Sequence, residues 1–253
     1  MIIDSGRFLR ALELGESTAD GGIGTLTERL THRVLKYYFD PDPAHHEIET
    51  MGHIADILND DGVTEIQTRA ISRLCPKLDT FLRSYPVTVV LPIPVRRTLC
   101  WIDESTGEIT KPRAVPRRGR PSDALYELSG IRRFIGNPAL TVLVVLFNAA
   151  DCKLLNGTGA DRKHGAHRLE RTPTQLLDVI TLRTPSDYSA LIPTDLPPEF
   201  TAAEWSKATN LKGRRAYYSL KLLCDLGVLT RRAERRAYIY SHSVAQSGVG
   251  SAD

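Results

Sequence analysis

Two short runs constrain this chain most. Residues 86–94 (PVTVVLPIP) and 139–147 (ALTVLVVLF) are almost wholly apolar and rich in β-branched side chains. Both are far shorter than the roughly 20 residues that cross a bilayer. Runs of this length and composition read as buried strands of a sheet covered on both faces, so the expected fold is α/β (α+β), a mixed sheet flanked by helices. At 253 residues the chain has room for a second, smaller domain, given roughly 100 to 200 residues per domain. With 42% apolar and 25% charged residues, neither disorder, a collagen-like repeat nor a disulfide scaffold describes it. The N-terminus MIIDSGRFLR lacks a basic start followed by an apolar stretch, so the cytoplasm is expected. Cys75, Cys100, Cys152 and Cys224 form no CxxC pair, and reduced thiols are expected rather than a zinc knuckle.

The other elements arrange themselves around these two strands. Residues 11–24 are rich in Gly, Ser and Asp and read as a loop. A helix follows from Leu26 to Phe39, with Leu26, Leu30, Val34, Tyr37 and Tyr38 on one arc and Pro41 and Pro43 ending it. HHEIET, HIADILND and GVTEIQT read as three strands separated by Gly52 and by Asp61-Gly62, a two-residue hairpin signal. Residues 71–85 read as a helix despite Pro76, 99–103 as a strand turning back between Asp103 and Glu108, and 122–134 as a helix. The stretch KPRAVPRRGRP (111–121) holds five basic residues, three prolines and no acid, which excludes a helix or a central strand. The first domain is expected to span 1–155, with a polar, glycine-containing linker over 156–172.

Residues 173–242 change rhythm. A helix over 173–183 is followed by a Thr201/Glu204 capping box, a short helix, a turn at Leu211–Gly213, and a second helix ending at Leu226 before Gly227. VLTRR and RAYIYS then alternate as a ribbon. This is the order of a winged helix-turn-helix domain, and the tail 243–253 is too small and polar to fold.

With Asp61-Gly62 as the two loop residues, facing residues have numbers that sum to 123, so Leu58 faces Glu65 and Asp56 faces Gln67. Asp56, Glu65 and Gln67 then share one face, while Ile57, Thr64 and Ile66 take the other. Two carboxylates on neighbouring strands repel unless a proton or cation lies between them. Hard oxygen donors suit Mg²⁺, or Mn²⁺ in its place. Duller readings stand beside this one. Glu28 lies three residues after Thr25 and fits a capping box, edge strands favour charge, and Lys77 fits a solvated helix position. His45, His46 and His53 have no zinc spacing.

These residues resemble the PD-(D/E)xK nuclease superfamily, which includes restriction enzymes and archaeal Holliday-junction resolvases. The similarity runs from Glu28 to Val95: a helix with Glu28, a strand with Asp56, Glu65-Ile66-Gln67 in the place of (D/E)-x-K, then a helix and a buried strand. The resemblance implies a restriction-endonuclease-like sheet, metal bound by Asp56 and Glu65 with Glu28 as a further ligand, and Gln67 where the family has lysine. A glutamine can hold water but supplies no charge, and Lys77 on the following helix is the candidate substitute. The whole chain also looks like an uncharacterised bacterial family that joins such a core to a winged helix.

Charge is divided along the chain: residues 1–65 are net −8 and residues 66–253 net +11, giving +3 overall. An acidic segment for cations and a basic one for polyanions suit a metal-using enzyme on nucleic acid. Lys212, Arg214, Arg215, Tyr218 and Lys221 are expected to face outward from the second helix, with Ala216, Tyr217, Leu220, Leu223 and Cys224 as its buried stripe. Arg231, Arg232, Arg235 and Arg236 lie on the ribbon, and Arg117, Arg118 and Arg120 form a basic loop beside the acids. The leading expectation is a Mg²⁺-dependent DNA endonuclease, a cytoplasmic hydrolase whose partner is nucleic acid and not membrane, with a homodimer left open. The alternatives are a DNA-binding regulator on a nuclease-like fold without chemistry, and a protein-interaction adaptor.

Overall fold

The computed structural model describes residues 3–17, 30–155, 166–234 and 237–243, with backbone alone over 166–170. The elements in order are α1 (Ser5–Ser17), α2 (Leu30–Phe39), β1 (His46–Thr50), β2 (His53–Asn59), β3 (Gly62–Ile66), α3 (Cys75–Phe81), β4 (Val87–Asp103) and β5 (Arg113–Ala114). α4 (Asp123–Leu128), β6 (Leu140–Leu155), β7 (Ala166–Leu182), β8 (Glu199–Thr201), α5 (Ala202–Thr209), α6 (Arg214–Asp225), β9 (Leu229–Glu234) and β10 (Ala237–His242) follow. Single-turn 3₁₀ segments precede β1 and α3, extend α4, and occupy Pro185–Leu191.

The two apolar runs are adjacent strands in the middle of a mixed sheet of order β1-β2-β3-β4-β6-β7, with β5 on the margin of β4. β1 to β3 form an antiparallel meander, β3, β4 and β6 run parallel, and β7 returns antiparallel. Alternation along β4 divides the core. Val87, Val89 and Leu91 face α3 and α4 (Leu78, Phe81, Leu125, Leu128), while Val90 faces α2 (Val34, Leu35, Tyr38). The α3/α4 side of this core continues without a break into the C-terminal unit through Tyr188, Phe200, Trp205, Leu220 and Leu223. Trp205 is fully enclosed there, its indole N–H donating to Ser219 Oγ at 2.9 Å. None of the four cysteines is in a disulfide. Among the described residues no helix is long and apolar enough to cross a membrane.

Several expectations are corrected. Residues 11–17, read as loop, continue helix α1, which packs Phe8 and Ala11 against α2 and the sheet. The stretch 99–103 is the far half of β4, joined to it through an irregularity between Pro94 and Arg97. The linker and helix expected over 156–172 and 173–183 give way to β7, paired with β6 along its length; 156–165 lie outside the described residues. Three register shifts along β7 interrupt strict alternation, which leaves Leu176, Val179 and Leu182 at a spacing that mimics a helix. Of the expected tail, Ser243 bonds back to Val228, and 244–253 lie outside the described residues.

The β2–β3 hairpin also shifts. Ile57 pairs with Thr64, Leu58 with Val63 and Asn59 with Gly62, so Asp60 and Asp61 form the loop and Gly62 begins the strand. Gly62 has φ +107°, and a Cβ there would lie 2.2 Å from the Pro86 carbonyl oxygen. That close approach lets the Val63 N–H reach Pro86 O at 2.9 Å and start the parallel β3–β4 ladder. Gly52, at φ +77°, has open space around it and serves only the β1–β2 turn. Gly62→Ala is expected to destabilise the fold by about 2 kcal/mol or more, against about 1 kcal/mol for Gly52→Ala; urea denaturation of both variants checks the order.

Candidate active site and nucleic-acid interface

The β2–β3 ladder ends at Ile57↔Thr64. Carried one residue further, this register sets Asp56 against Glu65 where the ladder ends. Because the register moves by two residues, the expected faces are kept while a diagonal pair becomes a facing one. The backbone adapts to the acid: Ile66 N–H donates to Asp56 Oδ2 at 2.7 Å, in the place of a ladder bond. The same oxygen lies 3.1 Å from His32 Nε2 on α2. Burial works to raise the Asp56 pKa, but the His32 hydrogen bond and charge, the Ile66 amide and the Lys77 charge outweigh it, holding Asp56 below the usual carboxylate range.

Glu65 is only 1% exposed. Lys77 Nζ, from the first turns of α3, lies 2.9 and 2.8 Å from its two carboxylate oxygens and also donates to the Ile54 carbonyl. Burial and the Asp56 charge push the Glu65 pKa up to about 7, with Lys77 and the Asp56 backbone N–H opposing. Pro76 at the start of α3 is what permits Lys77 this position. Proline is tolerated in the first helical turn, so the helix begins one residue before it, at Cys75.

Gln67, expected on the same face as the acids, lies beyond the end of β3. Its side-chain amide donates to the Arg69 carbonyl at 2.5 Å, and its backbone N–H continues the ladder to Val90 O. Ala70, three residues on, is held at φ 53°, a left-handed conformation that costs a non-glycine residue about 1 kcal/mol or more. Glu28 lies outside the described residues. Among the described residues no three His, Cys, Asp or Glu side chains converge to hold a metal ion. The acids carry hard oxygens of the kind Mg²⁺ takes, with Lys77 on both Glu65 oxygens and His32 and the Ile66 N–H on Asp56 Oδ2. His45 and His46 instead tie the α2–β1 turn to Asp40, and His53 packs on Phe81.

His32 is the functional candidate that sequence reasoning missed. The available signal is spacing: it lies four residues after Glu28, a separation that would put both on one face of the helix expected over 26–39.

The basic residues divide. Arg118 and Lys212 are exposed. Arg117 pairs with Asp123, and the Arg120 N–H donates to the same carboxylate. Gly119 is pressed against Pro94, so the basic loop is packed on β4. Arg232 pairs with Glu199 and Glu234, Arg231 lies over the Tyr238 ring, and Arg235 and Arg236 lie outside the described residues. On α6 the buried stripe is Ala216, Ser219, Leu220, Leu222 and Leu223. Tyr217, expected inside, is 58% exposed. Tyr218 and Arg215, expected free, lean on Tyr126 of α4, at 6.4 Å between rings and 5.3 Å from guanidinium to ring.

Glu65 binds its proton more tightly in the folded chain than in the unfolded one, where its ordinary value is 4.5. Its contribution therefore favours folding below about 4.5 and is lost as pH rises towards 7. Lys77→Met removes the compensating charge and is expected to cost about 3 kcal/mol at pH 8 and clearly less at pH 5. Urea denaturation at the two pH values checks this, and an equal loss at both would show that Lys77 stabilises by packing alone.

Three comparisons bear on this architecture. A family described as "Domain of unknown function (DUF8091)" matches residues 29–183, the span from just before α2 to the end of β7. A protein of Treponema pallidum (strain Nichols), described as an uncharacterized protein, is 25% identical over 214 residues, covering 84% of each chain. No solved structure matches the chain.

Proposed function

Because the chain belongs to the DUF8091 family, whose description carries no activity, we propose from its own residues that it is a metal-dependent nuclease hydrolysing DNA phosphodiester bonds. The observation that carries this reading is the facing pair Asp56 and Glu65 at the point where β2 and β3 part, with Lys77 Nζ on both oxygens of Glu65. Supporting it are the meander β1–β2–β3 followed by a helix and a parallel strand, which matches the element order of PD-(D/E)xK nucleases, and the helix-turn-helix with a basic ribbon, which matches a winged helix that positions DNA.

Asp56 and Glu65 would hold Mg²⁺ or Mn²⁺, with Glu28 as a further ligand. A bound divalent ion supplies polarisation of a phosphoryl oxygen and a lowered pKa for a coordinated water. His32 and the Ile66 N–H fix the Asp56 carboxylate in one orientation and favour its ionised form. Lys77 Nζ directs its three donors at the two Glu65 oxygens and the Ile54 carbonyl, so it would hold a phosphate oxygen or the attacking water by exchanging one of these bonds. The Gln67 amide is engaged with Arg69, so Lys77 rather than Gln67 takes the role of the family's lysine.

A second reading rests on the same ion pair. With Lys77 already neutralising Glu65, the fold could bind DNA as a regulator without chemistry. The two differ in one measurement. The nuclease reading expects cleavage of labelled DNA that requires Mg²⁺ or Mn²⁺ and falls at least about 100-fold in Asp56→Asn. Equal rates in wild type and variant, or no cleavage with either ion, would remove it. Since Glu65 must be ionised to hold the ion, apparent metal affinity is expected to fall about tenfold per pH unit below about 7, as read by calorimetric Mn²⁺ titration.

A further inference from the structure

The helix that would read a duplex is partly covered. At 100° per residue, Arg214, Lys221 and Tyr217 occupy one edge of α6, where Lys221 pairs with Asp225 at 3.0 Å, whereas Arg215, Tyr218 and Leu222 point towards α4. Arg132, just beyond α4, pairs with Asp225 at the far end of α6 at 3.0 Å, and the Tyr126 contacts hold the near end. Two helices in side-by-side contact are roughly 20 Å across, but the major groove of B-DNA is only about 12 Å wide. α4 therefore keeps the Arg215 and Tyr218 side of α6 out of a groove and leaves it the edge of Arg214, Tyr217 and Lys221.

Between the two helices lies a cleft of about 710 Å³ whose floor is Ala70–Ser72. This is within the range of about 300–1,000 Å³ found for small-molecule and cofactor sites. Its mouth combines flat aromatic faces with cations. Tyr217 and Tyr218 meet edge to face with centroids 5.2 Å apart, and Arg214 sits 5.8 Å over the Tyr218 ring. Lys221 lies on the same edge, and Glu127 offers an acceptor inside. Stacking faces beside cations are the features that bind unpaired nucleotides. The floor belongs to the segment that leads from Gln67 to α3, the helix bearing Lys77, and it contains the strained Ala70.

We infer that this cleft binds an unpaired nucleotide of single-stranded nucleic acid, stacking its base on Tyr217 and setting its phosphates on Arg214 and Lys221. The inference rests on the nuclease reading only for its purpose: the cleft would deliver a single strand, rather than a duplex, towards Asp56 and Glu65. Binding itself is independent of chemistry.

The test is fluorescence anisotropy with the full chain in EDTA, using a labelled oligonucleotide of about 20 nucleotides as single-stranded DNA, as single-stranded RNA and as DNA duplex. A single strand is expected to bind at least about tenfold tighter than the duplex. Tyr217→Ala is expected to weaken that binding about tenfold and to leave the duplex unaffected, while Tyr217→Phe, which keeps the stacking face, retains it. Tyr217 is exposed, so neither variant perturbs the core, and thermal melting verifies this. Duplex binding as tight as single-strand binding, no binding of either single strand, or indifference to Tyr217→Ala would overturn the cleft. Tight binding of RNA alone would support the cleft and count against DNA as the substrate. Wild-type protein separates the two proposals: no cleavage with Mg²⁺ or Mn²⁺ beside intact Tyr217-dependent binding in EDTA sinks only the nuclease reading. Metal-dependent cleavage without Tyr217 dependence sinks only the cleft.

Discussion

A carboxylate enclosed in a sheet must be neutralised, and in this protein much of the local structure serves that requirement at Glu65. Its neighbours on β3 and β4 are apolar: Val63, Ile66, Val89 and Val90 are all buried. An isolated charge in such surroundings costs several kcal/mol, and the facing Asp56 adds repulsion. Lys77 offsets both by contacting the two oxygens, and it spends a further hydrogen bond on Ile54 O, which anchors α3 to β2. Asp56 has a separate set of partners, His32 of α2 and the Ile66 N–H. The two acids are thus held close by helices that pack on opposite faces, α2 and α3, and cannot relax apart without disturbing both cores.

That dependence explains the need for a continuous core. α3 sits in the layer that also holds α4, and the same layer runs into Trp205 and Leu220 of the C-terminal unit. The helix-turn-helix is therefore fixed relative to the sheet by apolar packing as well as by the Arg132–Asp225 pair. An exposed ion pair such as this contributes little by itself; the burial of Leu222, Leu223 and Trp205 carries the association. A unit anchored in this way presents a restricted edge of α6 to a ligand instead of a whole helical face.

The parts legible in the sequence are those decided locally. The three-strand meander, the β4 and β6 runs, the Thr201/Glu204 capping box and the order of the C-terminal elements follow from alternation, branching and cap residues, and the structure contains them. The hairpin register was not legible, because Asp61-Gly62 has two uses. As a turn pair it would set the numbers of facing residues to sum to 123, yet Gly62 is needed as the one residue that can lie against Pro86. A partner 24 residues away decides the matter. β7 was misread for a related reason: its register shifts follow β6, and a strand that slips against its neighbour loses the two-residue period that identifies it. Tyr217 was assigned inward because an aromatic ring near an apolar stripe ordinarily is. What changes its place is α4, which covers the Tyr218 and Leu222 side of α6 and leaves Tyr217 on the free edge.

Position 67, where the resemblance leads one to expect lysine, is the instructive case. Position 67 carries glutamine, and on the strand pattern alone the site lacks its positive charge. The physical requirement attaches to the carboxylate of Glu65, not to a sequence position, and any cation whose side chain reaches those oxygens meets it. A lysine stem extends about 6 Å from Cα, so a helix packed directly on β3 can supply the ammonium from a residue 12 positions away. Pro76 starts that helix at the point that brings Lys77 within reach, and Leu74, Leu78 and Phe81 bury the opposite side. A linear pattern records only one of the ways in which a chain can place a charge. The burial of its partner calls for a cation or a proton beside it, and in this fold the contacts of Glu65 identify Lys77 without reference to the pattern.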